Sequence, residues 1–271
     1  MKILITGSNG QLGSQIKKIA PKLLGKDNIE LIISTRKNLD FLNPKEVYFF
    51  IKKINPNWVI NTAAFTNVDN AEEEKIKAIK INRDSPSAIA DALLETGGKL
   101  IHISTDFVFD GSSTSPYKTY DKTNPINFYG KSKEAGEKIL LQKFSHNNQL
   151  HIVRTSWLMG SLGKNFALTI LNLHQSKKEI KVIYDQIGSP TSTNSLANFC
   201  WELILNSKNL KKIPGVLHWC DAGIASWYDV AVAVGEIGKK LELLKSSATI
   251  VPILTSQYPS KAKRPKFSVL D

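Results

Sequence analysis

The sequence is poor in cysteine and has no long apolar run, and each shortage excludes a class of protein. Its two cysteines, Cys200 and Cys220, are too few for a disulfide framework, and no metal-ligand spacing surrounds them. No apolar run approaches the roughly 18 residues that a membrane span needs, and no signal-peptide pattern opens the chain. We therefore expect a cytoplasmic protein without membrane contact, in which both thiols are small core residues.

Acidic residues and arginines are also scarce. The chain has 36 Lys+Arg against 24 Asp+Glu, a net charge of +12, which favours anionic ligands such as phosphates and nucleotides. Only four of the 36 cations are arginines, and lysines occur in scattered pairs such as Lys17-Lys18. No basic stripe with interleaved aromatic residues appears. The distribution predicts a solvated basic surface and argues against nucleic acid as a partner.

Strand-like and helix-like segments alternate over the first half of the 271 residues. This alternation predicts parallel βαβ units, and strands apolar on both faces indicate a sheet covered on both sides. We predict an α/β fold: a Rossmann-type doubly wound parallel sheet over residues 1–156, and a smaller C-terminal substrate-binding lobe over 157–271 with crossings back to the sheet. The predicted strands of the first half are 2–6, 30–34, 58–61, 99–104 and 150–155, and its predicted helices are 11–24, 44–53, 69–81, 86–95 and 131–143.

Three glycines follow the first predicted strand with the spacing GxxGxxG: Gly7, Gly10 and Gly13. Glycine permits a tight turn, a close approach of the backbone to a pyrophosphate, and close packing of the helix on the strand. The N-terminus of the helix adds free N–H groups and the positive end of its dipole. Because an apolar strand precedes the pattern and an amphipathic helix follows it, we predict a dinucleotide site rather than a ligand-free turn.

The residues after the second predicted strand bear on the choice of cofactor. They lack the carboxylate that usually binds the ribose hydroxyls of NAD. Arg36 is placed to meet a 2′-phosphate, although it is also interpretable as a solvated surface residue. We therefore predict NADPH as the preferred cofactor, with NADH as an alternative. Asp40 could accept a hydrogen bond from the adenine amino group. Ala63 and Ala64 are small residues against which the cofactor could lie.

Tyr129 and Lys133 stand four residues apart at the head of a predicted helix, so both side chains lie on one face. A nearby ammonium lowers the pKa of a phenol from about 10, which allows the phenol to donate a proton near neutral pH. Lys133 could also bind the nicotinamide ribose. Thr105, at the end of the fourth strand, could bind a substrate carbonyl or merely cap a turn. His102, inside that strand, is interpreted as a packed core residue.

Together these features resemble the extended short-chain dehydrogenase/reductase superfamily. Further segments resemble the dTDP-4-dehydrorhamnose reductase family, and with the glycine motif they run in order along the whole chain. These segments are NTAAFTNVD (61–69), STDFVFDG (104–111), RTSWL (154–158), DQIGSPT (185–191) and RPKFSVLD (264–271). Phe107 departs from the family pattern, which usually has tyrosine there, so that a hydroxyl is lost and the ring is kept.

The resemblance implies NADPH-dependent reduction of the C4 ketone of dTDP-4-dehydro-L-rhamnose, with the proton given by Tyr129. It implies catalytic roles for Thr105, Tyr129 and Lys133, and it leaves a homodimer open. It implies that the cofactor is lined by Gly7, Gly10, Gln11, Leu12, Gly13, Asp40, Ala63 and Ala64. It implies that the sugar nucleotide is faced by Thr66, Val68, Trp157, Asp185 and Gln186, although Trp157 is also interpretable as a core aromatic.

Two other functions remain open at this point. One is a dinucleotide-binding regulatory subunit of the methionine adenosyltransferase type. The presence of Thr105, Tyr129 and Lys133 together favours a catalytic function over this regulatory one. The other is an epimerase or dehydratase that acts on another nucleotide sugar and recycles a tightly bound cofactor.

Overall fold

The structure is a computed structural model that describes residues 1–23, 29–145, 148–207 and 215–271. The strands are β1 (Lys2–Thr6), β2 (Glu30–Ile33), β3 (Trp58–Asn61), β4 (Lys99–Thr105), β5 (Leu150–Thr155), β6 (Leu158–Met159), β7 (Glu179–Ile183), β8 (Ile187–Gly188), β9 (Thr191–Ser192), β10 (Val216–His218), β11 (Ala225–Ser226) and β12 (Thr249–Ile253). The helices are α1 (Gln11–Leu23), α2 (Pro44–Ile54), α3 (Val68–Glu73), α4 (Lys75–Ile79), α5 (Ser85–Thr96), α6 (Phe128–Lys143), α7 (Phe166–Ser176), α8 (Thr193–Leu205) and α9 (Trp227–Lys240).

Six strands form one parallel sheet in the order β10-β5-β4-β3-β1-β2. The strand order reverses beside β1, as it does in doubly wound folds, and the prediction of a Rossmann-type parallel sheet is confirmed. Helices α2, α5 and α6 contribute to the apolar cluster on one face, and α1 and α8 to the cluster on the other. Both faces of the sheet are therefore covered, which explains the continuously apolar strands.

Alternation within β1 shows how the sequence fills both layers. Leu4 belongs to the cluster with α2 and α5, whereas Ile3 and Ile5 belong to the cluster with α1 and α8, and all three are fully buried. Successive side chains of a strand point to opposite faces, so an uninterrupted apolar run serves two helix layers at once.

The second half of the chain returns to the sheet and also builds a separate small core. Strand β10 pairs with β5 at the edge of the sheet, and α8 covers the sheet beside α1. Elsewhere β7 pairs with β12, and α7 and α9 pack together on this pair. The buried apolar residues of the small core are Ile170, Ile180, Val182, Ala231 and Ala248.

Two predicted helices differ from those in the structure. The predicted helix 69–81 is divided into α3, α4 and a wide π-helical turn at Lys80–Asp84, because the side chain of Asn82 bonds to other segments of the chain. Helix α6 begins three residues earlier than predicted, because Asn127 Oδ1 accepts the Gly130 N–H at 2.8 Å and caps the helix. The predicted end of the first helix, Leu24, lies outside the described residues.

A buried ion pair fastens α6 to the sheet. Arg154 on β5 donates to Glu137 on α6 through Nη2 at 2.7 Å and through Nε at 3.0 and 3.1 Å, and the two side chains are 5% and 2% exposed. The Ser104 hydroxyl on β4 also donates to Glu137. Three neighbouring elements thus share one carboxylate, whose loss would leave the Arg154 guanidinium buried and without its counter-ion.

We expect Glu137→Gln to lower the free energy of unfolding by about 3–5 kcal/mol, the usual cost of removing one partner of a buried ion pair. Urea denaturation followed by circular dichroism measures the change. Glu73→Gln is the matched control, since Glu73 pairs with Lys261 on the surface with both side chains about 60% exposed and should change stability little. Equal effects of the two substitutions would show that the buried pair does not hold α6.

Candidate active site

The turn after β1 is packed too closely at Gly7 and Gly13 to admit a side chain there. Gly7 has φ +66°, and a Cβ there would lie 2.7 Å from the backbone nitrogen of Ala63. A Cβ on Gly13 would lie 2.5 Å from the carbonyl oxygen of Gly7, and the Gly10 N–H donates to that same oxygen at 2.9 Å. The glycines therefore let the turn rest against the chain that follows β3.

Helix α1 starts at this turn with unused donors. Within the described part of the chain, the backbone N–H groups of Gln11, Leu12 and Gly13 have no hydrogen-bond acceptor. Free N–H groups at a helix N-terminus bind anions, and the helix dipole adds to the attraction. The Gln11 side chain accepts a bond from Asn165 Nδ2 at 3.1 Å, which links the turn to the second half of the chain. The turn fits a dinucleotide pyrophosphate.

The residues predicted to bind the adenosine end lie beyond β2. Arg36 is exposed and makes no hydrogen bond or ion pair with another described residue, so its guanidinium is available to a ligand. Asp40 is exposed, and its Oδ1 accepts the Leu42 N–H at 2.9 Å. The Ser34 carbonyl accepts both the N–H and the hydroxyl of Ser8, at 3.1 and 2.9 Å, which ties the end of β2 to the glycine turn.

Thr105, Tyr129 and Lys133 come together at the carboxyl end of β4. Thr105 ends that strand, and the chain then turns through Phe107, whose ring meets the Tyr129 ring edge-on at 5.8 Å. A Cβ on Gly130 would lie 2.1 Å from the Phe107 carbonyl oxygen, so this turn is pressed against the first turn of α6. Lys133 Nζ donates to the Ile103 carbonyl at 2.7 Å.

Burial dominates the electrostatics of the pair on α6. It raises the pKa of Tyr129 to about 12, and the nearby Thr105 hydroxyl opposes this increase in part. Burial also lowers the pKa of Lys133 to about 8, against the favourable charge of Glu137. The expected lowering of the Tyr129 pKa by Lys133 is not seen in the cofactor-free protein, because the lysine nitrogen is directed at Ile103 and His102.

Thr105 is held by the residue that follows it. Its hydroxyl donates to Asp106 Oδ1 at 2.9 Å and accepts the Phe107 N–H at 3.2 Å. Asp106 is 3% exposed, and burial raises its pKa to about 6. Its Oδ2 has no hydrogen-bond partner in the described ranges. The Thr105 hydroxyl is therefore oriented toward a carboxyl group that titrates close to neutral pH.

The residues predicted to face the substrate form two groups. Thr66 and Val68 lie just beyond the segment that packs on the glycine turn. Thr66 is exposed and Val68 is partly buried. Trp157 has φ +43° and stacks on Trp227 with ring centroids 3.5 Å apart and planes 5° from parallel. A Cβ on Gly188 would lie 2.5 Å from the Trp157 ring, so the glycine makes room for the stack.

Gln186 bonds to one ring of that stack, and the neighbouring Asp185 bonds to the same threonine as Gln186 does. Gln186 is buried, with Oε1 accepting from Trp227 Nε1 at 3.1 Å and Nε2 donating to the Thr255 hydroxyl at 3.2 Å. Asp185 Oδ1 accepts the Thr255 N–H at 2.7 Å. In this structure the hydrogen bonds of both side chains join parts of the second half of the chain.

Sequence reasoning missed two residues of the site. One is Trp227, which nothing in the sequence pattern distinguishes from a core aromatic. The other is Asn82, whose Oδ1 accepts the Phe65 N–H at 2.8 Å while its Nδ2 donates to the Ser132 hydroxyl at 2.8 Å. Asn82 follows the predicted helix 69–81 and precedes Arg83 and Asp84, so nothing in the sequence pattern distinguishes it from a polar surface residue.

The described residues form neither a cluster of metal ligands nor a membrane-spanning helix. Across residues 1–23, 29–145, 148–207 and 215–271, no three His, Cys, Asp or Glu side chains are grouped so that they could hold a metal ion. Over the same ranges no helix combines the length and the apolar character needed to cross a bilayer.

Comparison with known proteins places this geometry in a family. The family model described as RmlD substrate binding domain matches residues 1–271. The chain is 38% identical to the dTDP-4-dehydrorhamnose reductase of Escherichia coli strain K12 over 100% of this chain and 89% of that protein. It is 36% identical to the spore coat polysaccharide biosynthesis protein SpsK of Bacillus subtilis strain 168, over 99% and 88%. The solved dTDP-4-dehydrorhamnose reductase of Bacillus anthracis strain Ames, in complex with NADP, is 34% identical with a TM-score of 0.89, over 100% and 90%.

The fold and the site define a protein of the extended short-chain dehydrogenase/reductase class. Within that class the chain belongs to the RmlD substrate binding domain family, with full-length curated relatives named dTDP-4-dehydrorhamnose reductase. The family resemblance read from the sequence is confirmed.

We expect Asp106→Asn to stabilise the protein at pH 7 by about 1–3 kcal/mol. The folded carboxyl has a pKa raised from 3.8 to about 6, so it binds more protons than the unfolded one between these values. The free energy of unfolding therefore falls as the pH rises from about 4 to 6. Asparagine at this position still accepts the hydrogen bond from Thr105 but has no charge, so this fall is absent in the variant. Urea denaturation of the wild type and the variant at pH 4.5 and pH 7 measures the difference in the free energy of unfolding.

Asp110→Asn is the control of opposite sign. Hydrogen bonds from Ser112, Asn124 and Tyr117 hold the pKa of Asp110 well below its usual range. Its contribution is present above the unfolded pKa and is lost as the pH falls, so this substitution should destabilise at pH 7. If Asp106→Asn also destabilises the protein at pH 7, the ionised carboxylate of Asp106 does not lower the free energy of unfolding.

Proposed function

We propose that the protein reduces the C4 ketone of dTDP-4-dehydro-L-rhamnose to dTDP-L-rhamnose with NADPH. The observation that carries this proposal is the meeting of Thr105, Tyr129 and Lys133 at the carboxyl end of β4. Because the sheet is parallel, this end lies at the same edge as the glycine turn after β1. The curated relatives named for this reaction, and the NADP bound by the Bacillus anthracis protein, support it.

The cofactor supplies the hydride when bound, and this chain's residues do the rest. The free N–H groups of α1 and the glycine turn bind the pyrophosphate, and Arg36 binds the 2′-phosphate. Tyr129 donates its phenolic proton to the C4 oxygen as negative charge develops there. Lys133 binds the nicotinamide ribose. Thr105 donates to the same carbonyl oxygen once its single hydroxyl proton turns from Asp106 to the substrate.

We assign residues 1–156 mainly to the cofactor and residues 157–271 mainly to the sugar nucleotide. Asp40, Ala63 and Ala64 line the cofactor, and the Trp157 ring with Thr66 and Val68 faces the sugar nucleotide. Asp185 and Gln186 serve the substrate by placing the Trp157–Trp227 stack. A cytoplasmic location fits a reductase of this kind, and a homodimer is a further proposal that molecular mass in solution tests.

The alternative functions are less well supported. A regulatory subunit would have no need of the Thr105, Tyr129 and Lys133 arrangement, and the full-length relatives at 33–38% identity include many reductases by name. The epimerase with a solved structure is only 16% identical, so it shows the fold alone.

We expect Tyr129→Phe to lower kcat by about 10²–10⁴-fold with the NADPH affinity nearly unchanged, because it removes the acidic proton and keeps the ring against Phe107. NADPH oxidation with dTDP-4-dehydro-L-rhamnose, offered against other 4-keto sugar nucleotides, measures it. Tyr120→Phe, at a tyrosine 78% exposed, is the matched control. Lys133→Met should impair both kcat and cofactor binding. A folded Tyr129→Phe variant that keeps more than roughly a tenth of kcat would show that Tyr129 is not the main acid.

We expect Arg36→Ala to raise the Michaelis constant for NADPH by about 10- to 100-fold and to leave that for NADH unchanged. A charge-assisted contact to a phosphate contributes roughly 1.5–3 kcal/mol, and NADH has no 2′-phosphate. Steady-state kinetics with both cofactors measure the difference. Lys37→Ala, at the adjacent exposed cation, is the control. Equal effects of Arg36→Ala on both cofactors would contradict the assignment of Arg36.

A further inference from the structure

Three buried polar side chains lie side by side across the centre of the apolar sheet. Thr6 on β1, Asn61 on β3 and His102 on β4 are direct partners in register, and all are 0% exposed. The next partner on β5 is the apolar Ile152, so the row ends at His102. The ring of His102 turns out of the row toward α6, where its Nε2 lies 3.4 Å from Lys133 Nζ.

The orientation of Asn61 follows from its neighbours. The backbone N–H of Ala63, which can only donate, lies 3.3 Å from Asn61 Oδ1, and the Thr6 hydroxyl donates to the same oxygen at 2.6 Å. The amide nitrogen of Asn61 therefore faces His102 Nδ1, at 3.0 Å. An amide nitrogen only donates, so Nδ1 is the bare, accepting nitrogen of the imidazole.

The tautomer of His102 is thereby fixed. Burial is the main cause that keeps the pKa of His102 well below its ordinary value, so the ring is neutral. A neutral ring with a bare Nδ1 carries its proton on Nε2, and that N–H points at Lys133 Nζ. An ammonium offers only donors to this N–H, whereas an uncharged amine offers a lone pair that accepts it.

The other groups around Lys133 do not reverse this preference. Ile103 accepts one N–H of Lys133 at 2.7 Å, a bond that either form of the lysine makes. Glu137, one helical turn further on, is the acid that favours the ammonium, but its oxygens are shared by Arg154 and Ser104. Burial favours the amine.

We propose that His102 is a positioning residue that favours the uncharged amine of Lys133 over the ammonium in the cofactor-free protein, and that binding of an anionic dinucleotide at alkaline pH charges this lysine with one proton taken from solvent. The proton adds to the Nζ lone pair, while the phosphates add negative charge and the ribose hydroxyls add acceptors. The charging step rests on the proposed use of NADPH, whereas the tautomer of His102 does not.

The first test is made on the wild-type protein without ligand. Nitrogen-15 NMR of labelled histidine distinguishes bare from protonated ring nitrogens, and His102→Gln identifies the signals by their loss. We expect a neutral ring with a bare Nδ1 and a protonated Nε2 from pH 6 to pH 8. His174 is an internal reference, since its Nδ1 accepts the Ala248 N–H at 3.1 Å and its Nε2 lies 3.1 Å from the Ala231 carbonyl. A proton on His102 Nδ1, or an imidazolium, overturns the proposal.

The second test measures NADPH binding between pH 6 and pH 10. The wild-type dissociation constant should rise about tenfold per pH unit above pH 8, because the amine must first take up a proton. Calorimetry at pH 8.5 in two buffers of different ionisation enthalpy should show net proton uptake on binding. Absence of uptake in the wild type overturns the charging step.

His102→Gln should move the onset of this weakening to higher pH by about one to two units, since the glutamine carbonyl can accept from the ammonium. His174→Gln, at a buried histidine of the small core, should leave the onset in place. An unchanged onset in a His102→Gln variant that still binds NADPH overturns the role of His102. A wild type that binds no NADPH overturns the proposed function with the charging step, and the NMR result then decides the tautomer by itself.

Discussion

The close packing of α6 against the turn after β4 and against the π-helical turn is the constraint on which the site depends. At two positions this helix has no room for a Cβ: Gly130, where it would lie 2.1 Å from the Phe107 carbonyl oxygen, and Gly136, where it would lie 2.1 Å from the Asn82 carbonyl oxygen. Glycine inside a helix costs roughly 1 kcal/mol relative to alanine. The buried pair of Glu137 and Arg154 joins the same helix to β5. Tyr129 and Lys133 occupy the turns that these contacts hold.

The same constraint joins the site to more distant parts of the chain. Asn82, in the π-helical turn, binds the backbone of Phe65 through both amide atoms and also reaches Ser132 on α6. The chain that follows β3 therefore keeps its place relative to α6. The backbone of Ala63, in the segment that follows β3, also contacts Gly7. This one segment therefore fixes the position of the glycine turn relative to α6. Wide helical turns of this kind are frequent at functional sites.

The sequence was sufficient wherever the determining interactions are local. Apolar runs that alternate with helical patterns predict strands β1 to β5 of the parallel sheet. The closeness of Tyr129 and Lys133 depends only on their four-residue spacing in a helix. It was insufficient where a side chain acts through partners distant in the chain. The break in the predicted helix 69–81 depends on bonds from Asn82, and the Trp157 stack depends on Trp227, seventy residues further on. Neither local propensity nor periodicity contains such information.

The role of His102 also depends on partners that are distant in the chain. Its place inside an apolar strand indicates a core residue, and it is fully buried. Only the register of β1, β3 and β4 reveals that Thr6 and Asn61 determine which of its nitrogens carries the proton. The basic surface, with a net charge of +12, attracts anions from solution. Burial favours an uncharged Lys133 and an uncharged Tyr129 within the site. A dinucleotide therefore meets long-range attraction outside the site, whereas inside the site burial opposes the charge on Lys133 that the phosphates and ribose hydroxyls of the dinucleotide favour.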